Sequence, residues 1–251
     1  MNPPASVART ARERARAELT REITEEARRQ LAAVGADALS LRAVARELGM
    51  VSSALYRYYP SKDDLLTALI IDAYNAMGEA AETAIASAAA EQPTGEGLGR
   101  VRWIAACHAI RAWAVANPHE YALIYGSPVP GYRAPEATIG PAARVPLAFA
   151  GVLRDALGSG EVVTVDADGG EVGGEVAGPL ADQAAALSAA LALEGGPVVP
   201  GYLLVRAVIA WTQLYGMLSF ELWGQFVGSF EPADAIFGYA VAELAAFAGL
   251  R

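Results

Sequence analysis

Residues 40–62, SLRAVARELGMVSSALYRYYPSK, restrict the possible fold more than any other stretch of this chain. Leu41, Val44, Ala45 and Leu48 recur at helical spacing and the pattern stops at Gly49. A second short segment, Ser52 to Tyr59, follows at once and stops at Pro60. Two short helices parted by a glycine turn are the sequence form of a helix-turn-helix, whose second helix enters a DNA major groove. That second segment carries serines, an arginine and tyrosines where a core helix would carry leucines. It is a surface made to touch something polar.

A net charge of −9 argues against a nucleic-acid partner until its distribution is read. Residues 1–62 hold eleven Arg and Lys against seven acids, a balance of +4, so the rest of the chain carries −13. A basic head on an acidic remainder is the asymmetry expected when only the head meets phosphate. The single cysteine, Cys107, forms no intrachain disulfide, which fits a reducing compartment, and the expected location is the cytoplasm. No apolar leader is visible near the N-terminus. The most apolar stretch, Tyr202 to Phe226, is interrupted by Arg206, Gln213 and Glu221, so no membrane span is expected.

The spacing predicts an all-α chain. A first helix runs from near Thr10 to Val34 with Gly35 as its C′ residue, and Ser40 stands as N-cap of the next. Ser61 starts a helix of about 25–30 residues that leaves the head and enters the body. Further helices are expected from Leu98 to a close at Asn117-Pro118, then over 118–126, 138–157, 180–193, 200–226 and 232–249. Pro141 suits a first turn, but Pro146 would kink its helix or shift its start. Residues 158–178 are Gly-rich and acidic and read as a mobile loop, with room for a hairpin at Val162–Val165. The 200–226 helix is apolar nearly all round, so the core or a second subunit should bury it.

The order Gly35, Ser40-Leu41-Arg42-Ala43-Val44-Ala45, Gly49, then Leu55-Tyr56-Arg57-Tyr58-Tyr59-Pro60-Ser61-Lys62 and Leu65 resembles the TetR/AcrR family of transcriptional regulators, without a gap over about residues 17–77. Arg111-Ala112-Trp113, Asn117-Pro118, the run Tyr121 to Tyr132 and the stretch Trp211 to Gly224 are similar to the family's WHG-type C-terminal domain. The resemblance implies an arm at 1–16, a helix-turn-helix domain at 17–77 (motif 40–59), and a ligand-binding and dimerisation domain at 78–251. It also implies a homodimer, joined through its last helices, that binds a palindromic double-stranded DNA operator and is released by a small-molecule effector. One departure stands out. Val51 occupies the place where many members have a Ser or Thr N-cap, so either Ser52 caps a helix shifted by one residue or the cap is absent.

The expected DNA contacts are Ser40, Arg42, Ser52, Ser53, Ala54, Tyr56, Tyr58 and Lys62. Serine hydroxyls donate or accept at base edges and an alanine methyl packs on a thymine methyl. Tyrosine hydroxyls, Arg42 and Lys62 reach phosphate oxygens. The plainer reading makes the small residues spacers, Tyr56 a half-buried core group and Arg42 a solvated side chain. In the body, Trp103, His108, Trp113, Tyr121, Tyr125, Trp211 and Tyr215 suit a pocket for a largely apolar ligand, with ordinary core as the alternative for each. No metal or other cofactor is expected. Cys107 and His108 are adjacent and diverge by about 100° on a helix. Asp166 to Glu171 matches part of a calcium loop, but Gly170 stands at a ligand place and the bidentate Glu is missing. The function expected is a ligand-responsive repressor. The alternatives are an all-α enzyme with an apolar cavity, for which no catalytic motif is visible, and a DNA-binding regulator controlled by a protein partner.

Overall fold

Local signals set the first four helices. In the structure, a computed structural model that describes residues 11–91, 97–162, 176–190 and 197–250, α1 spans Ala11–Ala38. It is interrupted at Gly35, whose φ of 75° and ψ of 171° lie outside the helical region. A side chain there would meet its own backbone, so the glycine ends the long run and the chain turns. Helix α2 covers Leu41–Glu47 and α3 covers Ser52–Leu55. Between them Gly49 has φ 65°, and two bonds close the turn: Gly49 N–H donates to the Arg46 carbonyl and Met50 N–H to the Ala45 carbonyl. This pair of bonds is a Schellman motif, which only a residue at ease with positive φ completes.

Helix α3 is shorter than the expected Ser52–Tyr59. Beyond Leu55 the chain continues in tighter turns, with Arg57 N–H on the Ala54 carbonyl and Tyr58 N–H on the Leu55 carbonyl. Pro60 stops these turns at Tyr59, the residue that a following proline pushes out of the helical region. The doubt at Val51 also resolves. Val51 is the N-cap, extended at φ −69° and ψ 135°, with no side-chain bond to the helix, and Ser52 is the first helical residue. Helix α4, Lys62–Glu91, opens on a true cap: Asp64 N–H donates to Ser61 Oγ at 3.1 Å while the Ser61 hydroxyl donates to Asp64 Oδ2 at 2.6 Å.

The chain divides into two compact units. The first comprises residues 1–73 and 119–138, the second 74–118 and 139–251. Besides the head, the first unit takes in α6, Pro118–Tyr125, from His119 onward, together with the loop that follows. Its core is Ile23 and Ala27 of α1, Leu41, Val44 and Ala45 of α2, Leu55, Tyr59, and Leu65, Leu66 and Leu69 of α4. Leu123, Val129 and Tyr132 from the distant segment pack on that core.

The second unit holds the remainder of α4 with α5 (Leu98–Ala116), α7 (Ile139–Gly158), α8 (Pro179–Ala190), α9 (Gly201–Leu222) and α10 (Asp234–Phe247). Helices α5, α7, α8 and α10 all pack on α9. By length and composition alone α9 is apolar enough to cross a membrane, which the sequence reading did not expect. Here it is the central helix of the unit, and its Glu221 is gripped by Arg111 of α5 at 2.7 Å and 2.8 Å. Pro146 does lie inside α7, so the Ala142 carbonyl lacks the N–H that would otherwise satisfy it. Among the described residues no strand forms; Val162 makes one isolated antiparallel bridge to Leu250. The rest of the expected hairpin, the acidic stretch 163–175 and the first ten residues of the N-terminal arm lie outside the described residues.

Candidate nucleic-acid interface and body cavity

The helix-turn-helix presents its polar groups outward because its apolar ones are used up in the core just described. Arg42, Ser53, Tyr56 and Arg57 are exposed, and Ser40, Ser52, Ala54, Tyr58 and Lys62 are half-buried at the same motif. Of the two tyrosines expected at phosphate, Tyr56 is the outward one at 39 % exposure. Tyr58 packs on the core and lies beneath the Arg16 guanidinium, 5.1 Å from ring centroid to Cζ. Ser40 occupies the N-cap position of α2, but its hydroxyl makes no capping bond. Lys62 is already engaged: its Nζ donates to the Asp37 carbonyl at 2.6 Å, tying the start of α4 to the end of α1. Two donors of that ammonium remain for another partner. The structure adds Val51, 71 % exposed at the head of α3, and Arg57, which the sequence reading counted only as charge. An uncapped apolar residue that opens a recognition helix was the available signal for Val51.

Arg28 binds three elements of this unit together. From α1 its Nε donates to Glu120 Oε1 of α6 at 3.0 Å, and its Nη2 donates to Asp72 Oδ2 of α4 at 2.7 Å. Thr67 and Tyr132 share a hydroxyl bond of 2.9 Å nearby. Burial raises the pKa of Asp72, an effect the Arg28 charge and hydrogen bond partly offset. The Tyr59 hydroxyl is pushed up as well, by burial first and then by the Asp72 charge.

The seven body aromatics are divided between the two units. Tyr121 and Tyr125 belong to the first unit and the other five to the second. Trp103 is fully buried against Phe149, 4.3 Å between ring centroids, and its Nε1 has no partner. His108 is exposed, edge-on to Phe237; its pKa is lowered by partial burial and by the Arg111 charge. Trp113 is half-buried on α5, and Tyr215 is buried with its hydroxyl 3.6 Å from Met77 Sδ. Trp211 alone of the seven lines the cavity that opens between α7, α8 and α9, of about 220 Å³, with Pro146, Phe149, Ala150, Leu187, Leu204, Ala207 and Val208. Cys107 is buried and its thiol is pushed far up, so it stays protonated. Among the described residues no group of three or more His, Cys, Asp or Glu side chains is placed to hold a metal ion.

Comparison with known proteins matches the chain to two family models in succession. Residues 23–69 match the family of bacterial regulatory proteins of the tetR type, and residues 103–244 match the tetracyclin repressor-like C-terminal domain. HTH-type transcriptional regulators of Mycobacterium tuberculosis and Mycobacterium bovis are 37 % identical over 213 residues, 84 % of this chain and 84 % of theirs. The crystal structure of the regulatory protein SCO4313 is 35 % identical, with a TM-score of 0.69 over 94 % of this chain and 100 % of that one. A TetR family transcription regulator from Marinobacter aquaeolei, at 17 % identity and a TM-score of 0.56 over 92 % of this chain and 97 % of that one, shares the fold. This chain belongs to the TetR family of DNA-binding transcriptional regulators.

Proposed function

We propose that the chain is a ligand-responsive repressor that acts in the cytoplasm as a homodimer on a palindromic operator. The observation that carries this reading is the helix-turn-helix face, where Arg42, Ser53, Tyr56 and Arg57 stand exposed over a closed apolar core. Arg42, Arg57, Tyr56 and the free donors of Lys62 fit phosphate oxygens. Ser53 and Ala54 fit base edges, with the exposed Val51 suited to a thymine methyl.

The second copy sits on the α9–α10 face. There Ile209, Phe220 and Tyr239 are exposed, beside a groove shared by Met217, Ile236 and Leu244. Apolar side chains gathered on one face of paired helices favour a second copy as cover. In a dimer the two recognition helices must stand about 34–36 Å apart to enter successive major grooves. Helix α4 runs unbroken from the first unit into the second, so a body ligand that favours one placement of α4 alters that spacing. Differential affinity for the two states sets the response, and a coupling of about 1–3 kcal/mol is typical.

Light scattering with a gel-shift titration tests the reading. A dimer that binds one operator is expected, with Tyr239→Asp dissociating the dimer and weakening operator binding together. A monomer that binds the operator at full affinity would overturn it.

A further inference from the structure

The cavity between α7, α8 and α9 is chemically one-sided. Its floor is Phe149, Ala150 and Leu204, all buried, while Leu187 and Trp211 are half-buried and Val208, 41 % exposed, marks the mouth. We propose that this cavity binds a small aliphatic ligand, of about six to ten carbons with no more than one oxygen-bearing group, inserted chain first. The proposal rests on the effector reading above and gives that effector a place and a chemistry.

Three observations select the ligand. Among the described residues the lining side chains carry one polar atom, Trp211 Nε1, and it is shielded from solvent, so the accessible wall they form is apolar. A ligand rich in polar groups would leave those groups unpaired against this apolar wall, whereas one polar end held at the mouth stays near solvent. The volume of about 220 Å³ is the second. It exceeds the roughly 150 Å³ of a dry apolar cavity that takes benzene, and falls below the roughly 300 Å³ at which sites for larger ligands begin. The third is the burial gradient from floor to mouth, which admits a chain end and leaves the other end near solvent. Helix α8 supplies Leu187 and packs on α9, so the ligand contacts the central helix of the unit and its cover at once.

The test uses the full chain without DNA, titrated with 1-octanol and in parallel with octane-1,8-diol. Tryptophan fluorescence and calorimetry are read together. The expected result is saturable binding of one octanol per chain, with a negative heat-capacity change. The fluorescence change disappears in Trp211→Phe, and the diol binds at least ten-fold more weakly. Ala150→Leu, which fills the floor, abolishes binding; should it fail to fold, Ala207→Leu at the half-buried rim makes the same test with less strain. No saturable binding, equal affinity for the diol, or undiminished binding in a folded filled variant would overturn the proposal. Operator release is measured separately. Octanol bound without release of DNA supports the site and counts against the effector reading. Release by another compound without octanol binding overturns the site and leaves the regulator standing.

Discussion

Replacing Arg28 with alanine removes, in one step, the ion pairs that hold α1 to α4 and to α6. The Glu120 side chain is only 16 % exposed, and its bond to Arg28 Nε is 3.0 Å. Loss of such a charge-assisted bond costs about 1.5–3 kcal/mol. Asp72 is 43 % exposed, so screening reduces that pair to about 0.2–1 kcal/mol. Together they amount to a loss of about 1.7–4 kcal/mol, or a fall in Tm of roughly 3–16 °C at the scale for a chain of this size. The loss should also depend on pH. Asp72 has a raised folded-state pKa, so its contribution favours the fold at low pH and is lost as pH rises through that pKa. Without Arg28 its pKa rises further, and the deficit of the variant shrinks in acid as Asp72 takes up its proton. Urea melts followed by circular dichroism, with Arg28→Lys as a charge-retaining control, measure the effect. A loss below about 0.5 kcal/mol at neutral pH, the range of ordinary surface substitutions, would refute the role given to Arg28.

Other substitutions probe the remaining links. Gly78→Ala in α4 would normally add about 1 kcal/mol through helix propensity, but a Cβ there falls 2.8 Å from Arg144 Cβ of α7. A thermal melt should show a loss of about 1–3 kcal/mol instead, and a gain would contradict the close approach of the two helices. Arg42→Ala should leave the melting temperature unchanged and make the salt dependence of operator binding shallower by about 0.9 per lost contact, measured by anisotropy. Asp234 has its pKa lowered by its hydrogen bond to Arg111, so the contribution of the pair is present above the ordinary carboxylate pKa and fades as pH falls through the depressed one. Carbon NMR should place that titration below the usual range, and Arg111→Met should return it there.

The head was legible in the sequence because its signals are local. Gly35 and Gly49 stand at the two positive-φ turns, Ser61 caps α4, and the apolar spacing of Leu41, Val44, Ala45 and Leu48 places three of these residues in the core cluster and Leu48 against it. What the sequence did not show depends on contacts made across long separations. Arg28 and Glu120 are 92 residues apart, and no periodicity announces that 119–138 packs into the first unit. The surroundings of the body aromatics were not legible for a related reason. A helical stripe of Trp and Tyr says that a face is buried but not against what, so Trp103 became core and His108 surface while Trp211 alone reached the cavity. The cavity floor is Phe149, Ala150 and Leu204, residue types that any core would use. Helix α3 is shorter than the apolar pattern suggested, because the chain passes from helix into tighter turns after Leu55 before Pro60 stops it.

The most direct test of the central claim, that the 40–62 surface is an operator-reading face, is an anisotropy titration of the full chain against the DNA flanking its own gene at several salt concentrations. With about four or five phosphate contacts per subunit in a dimer, the logarithm of affinity should fall with the logarithm of salt at a slope of about −7 to −9, at sites well separated in affinity from unrelated DNA. An affinity that is flat in salt, or equal for flanking and unrelated DNA, would contradict it.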